Sequence, residues 1–323
     1  MTMMSLTMKK EMTMVDFELK FDELISETKG NHKKLDVNSI LGVYYGLSRD
    51  GLPRLAFSSS SASPELKSTK VLRVEQGWES PLVYWTCFDL LQPDAKKAFC
   101  AFCMNLTEAV EGFVDEYSAL LALKRRYTIW KMMFKNDSGS TLSPEKMQGL
   151  YGELYFLKNF LLPNCTPSVA IHAWGGGDGN SKDFAIQNTW YEIKTVGANS
   201  TEVKISSLTQ LESESDGHLV IIKVEKMSRQ FEKCDSNVEN LISSIISSIE
   251  DEEVEEAFLT KLSNYGLNSS CDCFSDKFDV KTVRRYKVDD LFPRLTSVNV
   301  PYKEICRAEY SLSIGMLNSY IEE

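Results

Sequence analysis

The sequence predicts a mixed α/β protein, α+β overall, in which a small antiparallel β domain with a helical connector precedes a core of the order αβββαβ. Three observations predict this arrangement. The chain has 323 residues, which is enough for about two domains. Short apolar runs broken by Gly, Pro and Ser fill residues 35–88, as is typical of strands. After residue 143, helical and strand patterns alternate, which indicates α/β layers.

The N-terminal part is divided into a leader and a first domain. Residues 1–34 open on a Met-rich stretch, and we interpret them as a loosely ordered leader. Residues 35–142 form the predicted first domain. Its sheet is predicted from four apolar runs, at residues 40–45, 55–57, 71–74 and 82–85. Apolar residues recurring at intervals of three and four then predict two connecting helices, at about 99–114 and 117–134.

The net charge of −10 bears on which ligands the chain can bind. An acidic protein repels a polyanion, so any contact with DNA must be local or assisted by a metal. The candidate nucleic-acid contacts are the basic residues Lys124, Arg125, Arg126, Arg284, Arg285 and Lys287. The first three lie beside Trp130 in a predicted helix, where a solvated face with a packed tryptophan is the alternative interpretation.

The second predicted domain spans residues 143–323 and begins with a helix. Ser143 is a suitable N-cap and Pro144 a suitable first helical residue, which predicts a helix over residues 144–161. The expected elements that follow are two strands around Phe184 and Ile193, a strand at 202–205, a short helix from Ser207, a strand at 219–224, and one or two helices over 237–262.

The segment 182–194 alternates polar and apolar residues on both sides of a polar centre, which predicts a β-hairpin turning at Asn188 and Thr189. In that register Asp183 lies opposite Lys194. Because side chains alternate along a strand, Asp183, Glu192 and Lys194 share one face with Ala185. We expect the other face to be core and this one to be a charged cluster.

Two carboxylates and an ammonium group at one place suit metal-assisted phosphodiester hydrolysis. Asp183 and Glu192 are the predicted ligands of Mg²⁺, with Mn²⁺ as a substitute, because carboxylate oxygens bind such cations alongside retained waters. Lys194 can position the attacking water and stabilise negative charge on phosphorus. The spacing Glu-x-Lys also occurs at residues 65–67 and 202–204, and the second of these is a credible rival.

Further candidates flank the hairpin. Glu153 interrupts an otherwise apolar helix, where a carboxylate is costly unless it meets a metal, a lysine or a backbone donor. We expect it to be buried near the metal, and pairing with Lys158 is the alternative. Ser206 and Ser207 stand between a predicted strand and a predicted helix, so their hydroxyl and N–H groups suit a phosphate, although helix capping alone would explain them.

The eight cysteines predict reduced thiols in a cytoplasmic protein, since the sequence shows no secretory signal pattern. Cys100 with Cys103 and Cys271 with Cys273 are the close pairs. A shared zinc site is one interpretation of these pairs, and buried structural thiols are the favoured one because the spacing is irregular. No apolar run reaches the roughly 18 residues that cross a bilayer, so we expect no membrane partner.

The motifs together resemble a known family. They are 149–154 (Gly-Leu-Tyr-Gly-Glu-Leu), Trp174, Asp183-Phe184, 192–195 (Glu-Ile-Lys-Thr), 205–207 with Gln210-Leu211, Phe292-Pro293 and Tyr310. From about residue 35 to the C-terminus this set resembles the bacterial PD-(D/E)XK motif family, which is associated with restriction-modification-like defence systems. One departure is Lys182, which stands where the motif has Pro.

The resemblance implies a restriction-endonuclease-like core and a nuclease site. Its motif carries over onto Glu153, Asp183, Glu192 and Lys194, with Gln210 as an accessory residue. The expected function is a Mg²⁺-dependent DNA endonuclease of a restriction or phage-defence system, acting as a homodimer with DNA and with a methyltransferase and an ATPase as partners. The alternatives are a nucleic-acid-binding or assembly subunit that needs such a partner, and a DNA-repair nuclease.

Overall fold

The chain divides into two compact units, residues 1–135 and 136–323. The computed structural model describes residues 13–24, 28–135, 142–177, 182–228, 230–231, 233–267, 276–302 and 304–322. The expected boundary at residue 142 thus differs from the observed one by the length of a short linker. That linker, residues 136–141, lies outside the described residues.

The first unit is a five-stranded antiparallel sheet packed against helices. Its elements are α1 (Met14–Glu23), β1 (His32–Lys34), β2 (Gly42–Leu47), β3 (Pro53–Ser59), β4 (Leu72–Ser80), β5 (Val83–Leu90), α2 (Lys96–Ala109) and α3 (Glu116–Lys135). The strand order is β1-β2-β3-β5-β4. The four predicted strands and both predicted helices are present, and Phe88 of β5 packs against Phe102 of α2 and Tyr127 of α3. The helices therefore complete the core of this unit.

The expectation of a loose leader is wrong for its described part. Residues 14–23 form helix α1, whose start is fixed by a capping box between Thr13 and Asp16. Phe17 and Phe21 are four residues apart, so they lie on one helical face, and both are buried. Residues 32–34 then form β1, which pairs with β2. Phe21 packs against Tyr45 of β2 and Phe99 of α2, so the described part of this stretch belongs to the core of the first unit.

The second unit contains the predicted hairpin, the helix predicted from residue 144 and two helices in the region 237–262, together with a helix and strands that the sequence did not predict. Its elements are α4 (Pro144–Phe156), α5 (Pro167–Ala173), β6 (Phe184–Ile186), β7 (Thr189–Gly197), β8 (Glu202–Ile205), β9 (Gly217–Met227), α6 (Val238–Ser247), α7 (Glu252–Tyr265), β10 (Lys277–Val288), β11 (Tyr310–Ser313) and β12 (Ile321–Glu322). As predicted, the Ser143 hydroxyl caps α4 by accepting from the N–H of Lys146 at 3.3 Å.

Five strands form the main sheet, in the order β12-β10-β9-β7-β6. β7 and β9 are parallel, whereas the β6–β7 and β9–β10 pairs are antiparallel. The third predicted strand, β8, is not part of this sheet, because it pairs with β11 in a separate two-stranded sheet. Val203 and Ile205 are buried in the same apolar cluster as Trp190 and Leu219 of the main sheet, so β8 covers that sheet instead of extending it.

The predicted helix from Ser207 is absent, and residues 208–211 form a turn instead. The carbonyl oxygens of Thr209 and Gln210, which would accept helical N–H groups, accept from the ammonium of Lys182 at 2.9 Å and 2.6 Å. The Gln210 side chain closes the same turn by accepting from the N–H of Ser206 at 2.7 Å. Contacts made across the fold thus replace the local helix.

Both faces of the main sheet are covered. Helix α4 lies so close to β7 that a Cβ atom at Gly152 would stand 1.8 Å from the Thr195 hydroxyl, so only glycine fits there. The opposite face carries Trp190, Ile221 and Tyr286. Within the described residues, no helix is long and apolar enough to span a bilayer.

Candidate active site

The hairpin turns one residue earlier than predicted, at Gln187 and Asn188, where Gln187 has a φ of 53°. Ala185 therefore pairs with Trp190, and the same register continued by two residues sets Asp183 beside Glu192 in place of Lys194. Trp190 accounts for the register, since its ring is buried and packs so closely on Gly217 that a Cβ atom there would clash with it. The pairing is shifted by two residues, and side chains alternate faces with a period of two. Asp183, Glu192 and Lys194 therefore stay on one face, as predicted.

Glu192 and Lys194 lie two residues apart on β7 and contact each other. The Nζ atom of Lys194 is 2.9 Å from Oε1 of Glu192, whose side chain is 3% exposed, while that of Lys194 is 17% exposed. The prediction of one charged face and one core face is therefore too simple. The charged pair shares its face with Trp190, which belongs to an apolar cluster, so the carboxylate is buried beside core residues while the lysine reaches the surface.

Asp183 immediately precedes β6 and is half-buried. Its Oδ2 atom accepts from the backbone N–H of Ile193 at 2.7 Å, the residue between Glu192 and Lys194. This bond joins the two strands of the hairpin next to Glu192 and Lys194. It also fixes the direction of the Asp183 carboxylate, because a carboxylate bonded to a strand backbone cannot rotate freely.

Glu153 is buried on α4 and has a hydrogen-bond donor for each oxygen. Trp174 donates its indole N–H to Oε2 at 2.8 Å, and Tyr265 donates its hydroxyl to Oε1 at 2.9 Å. The alternative pairing with Lys158 is wrong, since Lys158 forms an ion pair with Asp235. Glu153 is therefore held in place by two neutral donors from distant parts of the chain.

Electrostatics shows that the three carboxyl groups form one cluster. Burial, followed by repulsion from Asp183, raises the pKa of Glu192 to about 7, although Lys194 opposes the shift. Burial and then Asp183 raise the pKa of Glu153 to about 8, against the two hydrogen bonds. Burial also raises the pKa of Asp183, which the Ile193 N–H and Lys194 oppose. Without a cation the cluster is thus costly in its fully ionised form.

Lys182 is a fifth charged residue near the hairpin, which the sequence analysis noted only as a departure from the motif. Its ammonium lies 4.2 Å from the centre of the Trp190 ring, besides donating to the carbonyl oxygens of Thr209 and Gln210. Burial lowers the pKa of Lys182 to about 8, although the Glu192 carboxylate acts to raise it. Lys182 therefore joins the 206–211 turn to the hairpin and adds positive charge near the carboxylates.

The carboxylates fit a Mg²⁺ ion that keeps most of its waters. In the described part of the chain, Asp183 Oδ1 and Glu192 Oε2 take part in no hydrogen bond, so both can face a cation. Each oxygen of Glu153 already accepts one hydrogen bond, so this carboxylate is less free to turn toward a cation. Consistent with this, the described residues contain no group of three His, Cys, Asp or Glu side chains placed to hold a metal. Mg²⁺ accepts such a sparse set because it dehydrates reluctantly.

The remaining predicted residues lie in several places. The rival pair Glu202 and Lys204 is exposed on β8, and Lys204 pairs with Glu309 at 2.7 Å. Ser206 has no free N–H for a phosphate, because the Gln210 amide oxygen accepts it. Ser207 contacts the hydroxyl of Thr209 at 3.0 Å. With the Ser207 helix absent, the predicted helix N-terminus and its phosphate site are absent as well.

The basic candidates belong to two groups. Lys124, Arg125 and Arg126 are half-buried on α3 of the first unit, where Trp130 is packed as the alternative interpretation expected. On β10, Arg285 pairs with Glu322 at 3.3 Å, and Lys287 lies between Asp216 and Asp289 at 3.3 Å and 3.6 Å. Those carboxylates compete with any phosphate. Arg284 has no carboxylate partner within the described residues.

The cysteine prediction holds for the first close pair. Cys100 and Cys103 are buried free thiols on α2, and burial raises the pKa of Cys100 to about 12. Both thiols are thus neutral at pH 7 in the metal-free chain, as buried structural cysteines are. Cys271 and Cys273 lie outside the described residues.

The first prediction concerns Lys182. Replacing it with methionine removes donors to two carbonyl oxygens, which should lower the free energy of unfolding by about 1–3 kcal/mol. Lys204→Met is the matched control, because Lys204 is exposed and its loss should change stability by about 0.5 kcal/mol or less. Urea denaturation at pH 7 measures both. Equal effects of the two substitutions would contradict the anchoring role of Lys182.

A sequence profile described as "Putative PD-(D/E)XK family member, (DUF4420)" matches residues 17–315, which cover most of both structural units and start before the first predicted domain. Neither the curated proteins nor the solved structures give a match to the chain.

Proposed function

The chain belongs to this PD-(D/E)XK family, whose nuclease-like α+β fold it shares, and on that premise we propose that it is a Mg²⁺-dependent DNA endonuclease. The observation that carries the proposal is the hairpin itself. It brings the Glu192–Lys194 ion pair next to Asp183, with one oxygen of each carboxylate available to a cation. The reaction is hydrolysis of a phosphodiester bond.

In this proposal Asp183 and Glu192 hold the Mg²⁺ ion. When bound, the ion supplies positive charge at the phosphate and lowers the pKa of a coordinated water. Lys194 projects from the buried carboxylate toward solvent, so its ammonium can hold the attacking water or donate to a phosphate oxygen. Asp183 also orders the backbone at Ile193, which keeps Glu192 and Lys194 in place.

Glu153 acts in this scheme as a positioning residue. Glu153→Gln should raise the Mg²⁺ concentration needed for half-maximal cleavage by about 10- to 100-fold, because it alters the charge around Asp183. Folding should be little affected, since a glutamine oxygen still accepts one of the two hydrogen bonds.

The control for Glu153 is Tyr265→Phe, which removes one donor and keeps the carboxylate. We expect it to shift the Mg²⁺ requirement less than Glu153→Gln does. Cleavage is titrated with Mg²⁺ at fixed ionic strength, and melting curves check the fold. An unchanged Mg²⁺ requirement in Glu153→Gln would show that Glu153 has only a packing role.

The activity itself is tested by incubating the purified protein with methylated and unmethylated plasmid in Mg²⁺, in Mn²⁺ and in EDTA. Cleavage that needs the cation supports the proposal. We further propose that the protein is the cleavage component of a restriction or phage-defence system, alongside a methyltransferase and an ATPase. Cleavage that depends on the methylation state would support that role, and DNA binding without cleavage would instead indicate a binding subunit.

Two copies of the chain are proposed to act together on a duplex. The reason is that each chain offers one Glu-x-Lys hairpin site, whereas a double-strand break needs both strands cut. Sedimentation with and without DNA tests the pairing. A monomer that converts plasmid only to the nicked form would contradict it.

A further inference from the structure

A pocket of about 230 Å³ lies on the main sheet of the second unit. Its walls carry three basic side chains, Lys223, Lys281 and Arg284. Its apolar lining includes Ile221, Tyr286 and Ile314. Among the described residues that line the pocket there is no carboxylate. A concentration of positive charge in a concavity of an acidic protein favours an anionic ligand, because the field is focused there.

The pocket opens on the sheet face that carries the catalytic pair. Lys194 of β7 pairs with Ile221 of β9, and Ile221 pairs with Arg284 of β10. Residues opposite each other on neighbouring strands point to the same side, so Lys194 and Arg284 share a face. Two strand spacings separate them, which is about 10 Å. At this separation, two nearby phosphates of one DNA strand can contact the two residues.

The three cations differ in how far their charge is already used. Lys281 pairs with Glu225 at 2.7 Å and with Asp279 at 2.9 Å, so much of its charge is compensated. Lys223 donates to the carbonyl oxygen of Ser200 at 2.7 Å, which fixes its position but leaves its charge. Arg284 makes only a long contact of 3.5 Å to Asn318 in the described part of the chain. Arg284 is thus the residue best able to bind a new anion.

The pocket also contains an unused polar group. Tyr286 forms part of the lining, and its buried hydroxyl has no hydrogen-bond partner among the residues that the structure describes. Buried polar groups normally have a partner, and one that lacks it lowers stability. A bound anion that moves the ring slightly would supply an acceptor.

We propose that this pocket is a phosphate-binding subsite. It binds a backbone phosphate of the DNA strand that is being cleaved, close to the phosphate at which cleavage occurs. Arg284 and Lys223 are its principal contacts. The inference rests on the proposed function for the source of the phosphate. Its recognition chemistry, two basic side chains and a hydroxyl above an apolar floor, does not depend on catalysis.

The test uses the full chain in EDTA, so that no DNA is cut, and measures binding of a short fluorescein-labelled duplex by anisotropy over a range of KCl concentrations. Arg284→Gln should lower the slope of log K against log salt by about one unit, because one phosphate contact is lost. Arg284→Lys should restore most of the slope. Arg307→Gln, which removes an exposed arginine of the same unit outside the pocket, is the matched control and should leave it unchanged.

A second measurement separates the sources of phosphate. Inorganic phosphate should raise the melting temperature of the wild type above that in KCl of equal ionic strength, and should not do so for Arg284→Gln. If inorganic phosphate raised the melting temperature in this way but the chain did not bind DNA, the pocket would still be a phosphate site, and DNA as the source of the phosphate would be ruled out. An Arg284→Gln slope equal to that of the wild type would overturn the inference even if the protein cuts plasmid. If the plasmid assay is negative and the slope still depends on Arg284, the nuclease proposal fails and the subsite stands.

Discussion

Lys194→Ala and Asp183→Asn are each expected to reduce DNA cleavage by about 10²-fold or more, the scale on which positioned acid–base groups and charge donors act. Lys194 supplies the only ammonium in contact with Glu192 among the described residues. Asp183 is one of the two proposed metal ligands and also holds the Ile193 backbone. The measurement is nicking of supercoiled plasmid at saturating Mg²⁺.

Asp183→Asn and Lys194→Ala should differ in stability, although both should lose most of their cleavage activity. In EDTA, Asp183→Asn should melt at the same or a higher temperature, because it removes repulsion from Glu192 and Glu153 while its amide oxygen still accepts from Ile193. Lys194→Ala should lower the free energy of unfolding by about 1–3 kcal/mol at pH 8, since it leaves the buried Glu192 carboxylate unpaired. Thermal melting in EDTA and in Mg²⁺ measures both.

The chain offers a matched control for these substitutions in its second Glu-x-Lys triplet. Glu202→Gln and Lys204→Ala change the same residue types, but on the exposed strand β8. Both should cut plasmid as the wild type does. If these controls lost cleavage while Glu192→Gln kept it, the chemistry would belong to residues 202–204 and not to residues 192–194.

Glu192→Gln should make the metal-free protein more stable at pH 8, by on the order of 1 kcal/mol for each unit by which the pKa of Glu192 is raised. The pKa of this carboxyl is raised from 4.5 to about 7 in the folded state. Between those values the folded chain binds more protons than the unfolded chain, so stability falls as pH rises. The loss is complete above about pH 7, and below about pH 4.5 wild type and variant should converge.

This prediction is measured by urea denaturation in EDTA from pH 5 to pH 8. Some decline with pH should remain in Glu192→Gln, because the pKa of Glu153 is raised to about 8 and has the same sign. Glu202→Gln serves as the control and should follow the wild-type curve. Added Mg²⁺ should stabilise the wild type more at pH 8 than at pH 6, because a cation binds the ionised carboxylates. Wild-type stability that is constant or increases over this range would contradict the buried carboxylate cluster.

Local signals explain which parts of the fold were predictable. Alternation over residues 182–194 predicted the hairpin. The turn is displaced by one residue, but this changes the pairing by an even number of residues, so Asp183 and Glu192 still share a face. The cap at Ser143 and the apolar stretch after it predicted α4. In both cases the deciding contacts lie within a dozen residues of one another.

Other features depend on contacts that no local pattern encodes. The Ser207 helix failed because Lys182, from 27 and 28 residues away, binds the carbonyl oxygens that the helix would need. Strand β8 pairs with β11 and not with the main sheet, and no local pattern indicates this pairing because β11 lies far along the chain. Tyr265 gave no signal at all, being the last residue of a helix that otherwise reads as acidic and solvated. Apolar spacing predicts which elements form, and pairing between distant elements decides where they lie.

The hydrogen bond from Tyr265 to Glu153 can form only late in the synthesis of the chain on the ribosome. Its tyrosine donor lies 112 residues after the glutamate, so the hairpin and α4 leave the exit tunnel well before α7 can close over the carboxylate. A nascent chain therefore contains the hairpin of β6 and β7 before the Tyr265 hydroxyl is able to donate to Glu153. The Glu153 carboxylate therefore gains its second hydrogen-bond donor only after about two-thirds of the second unit has been translated.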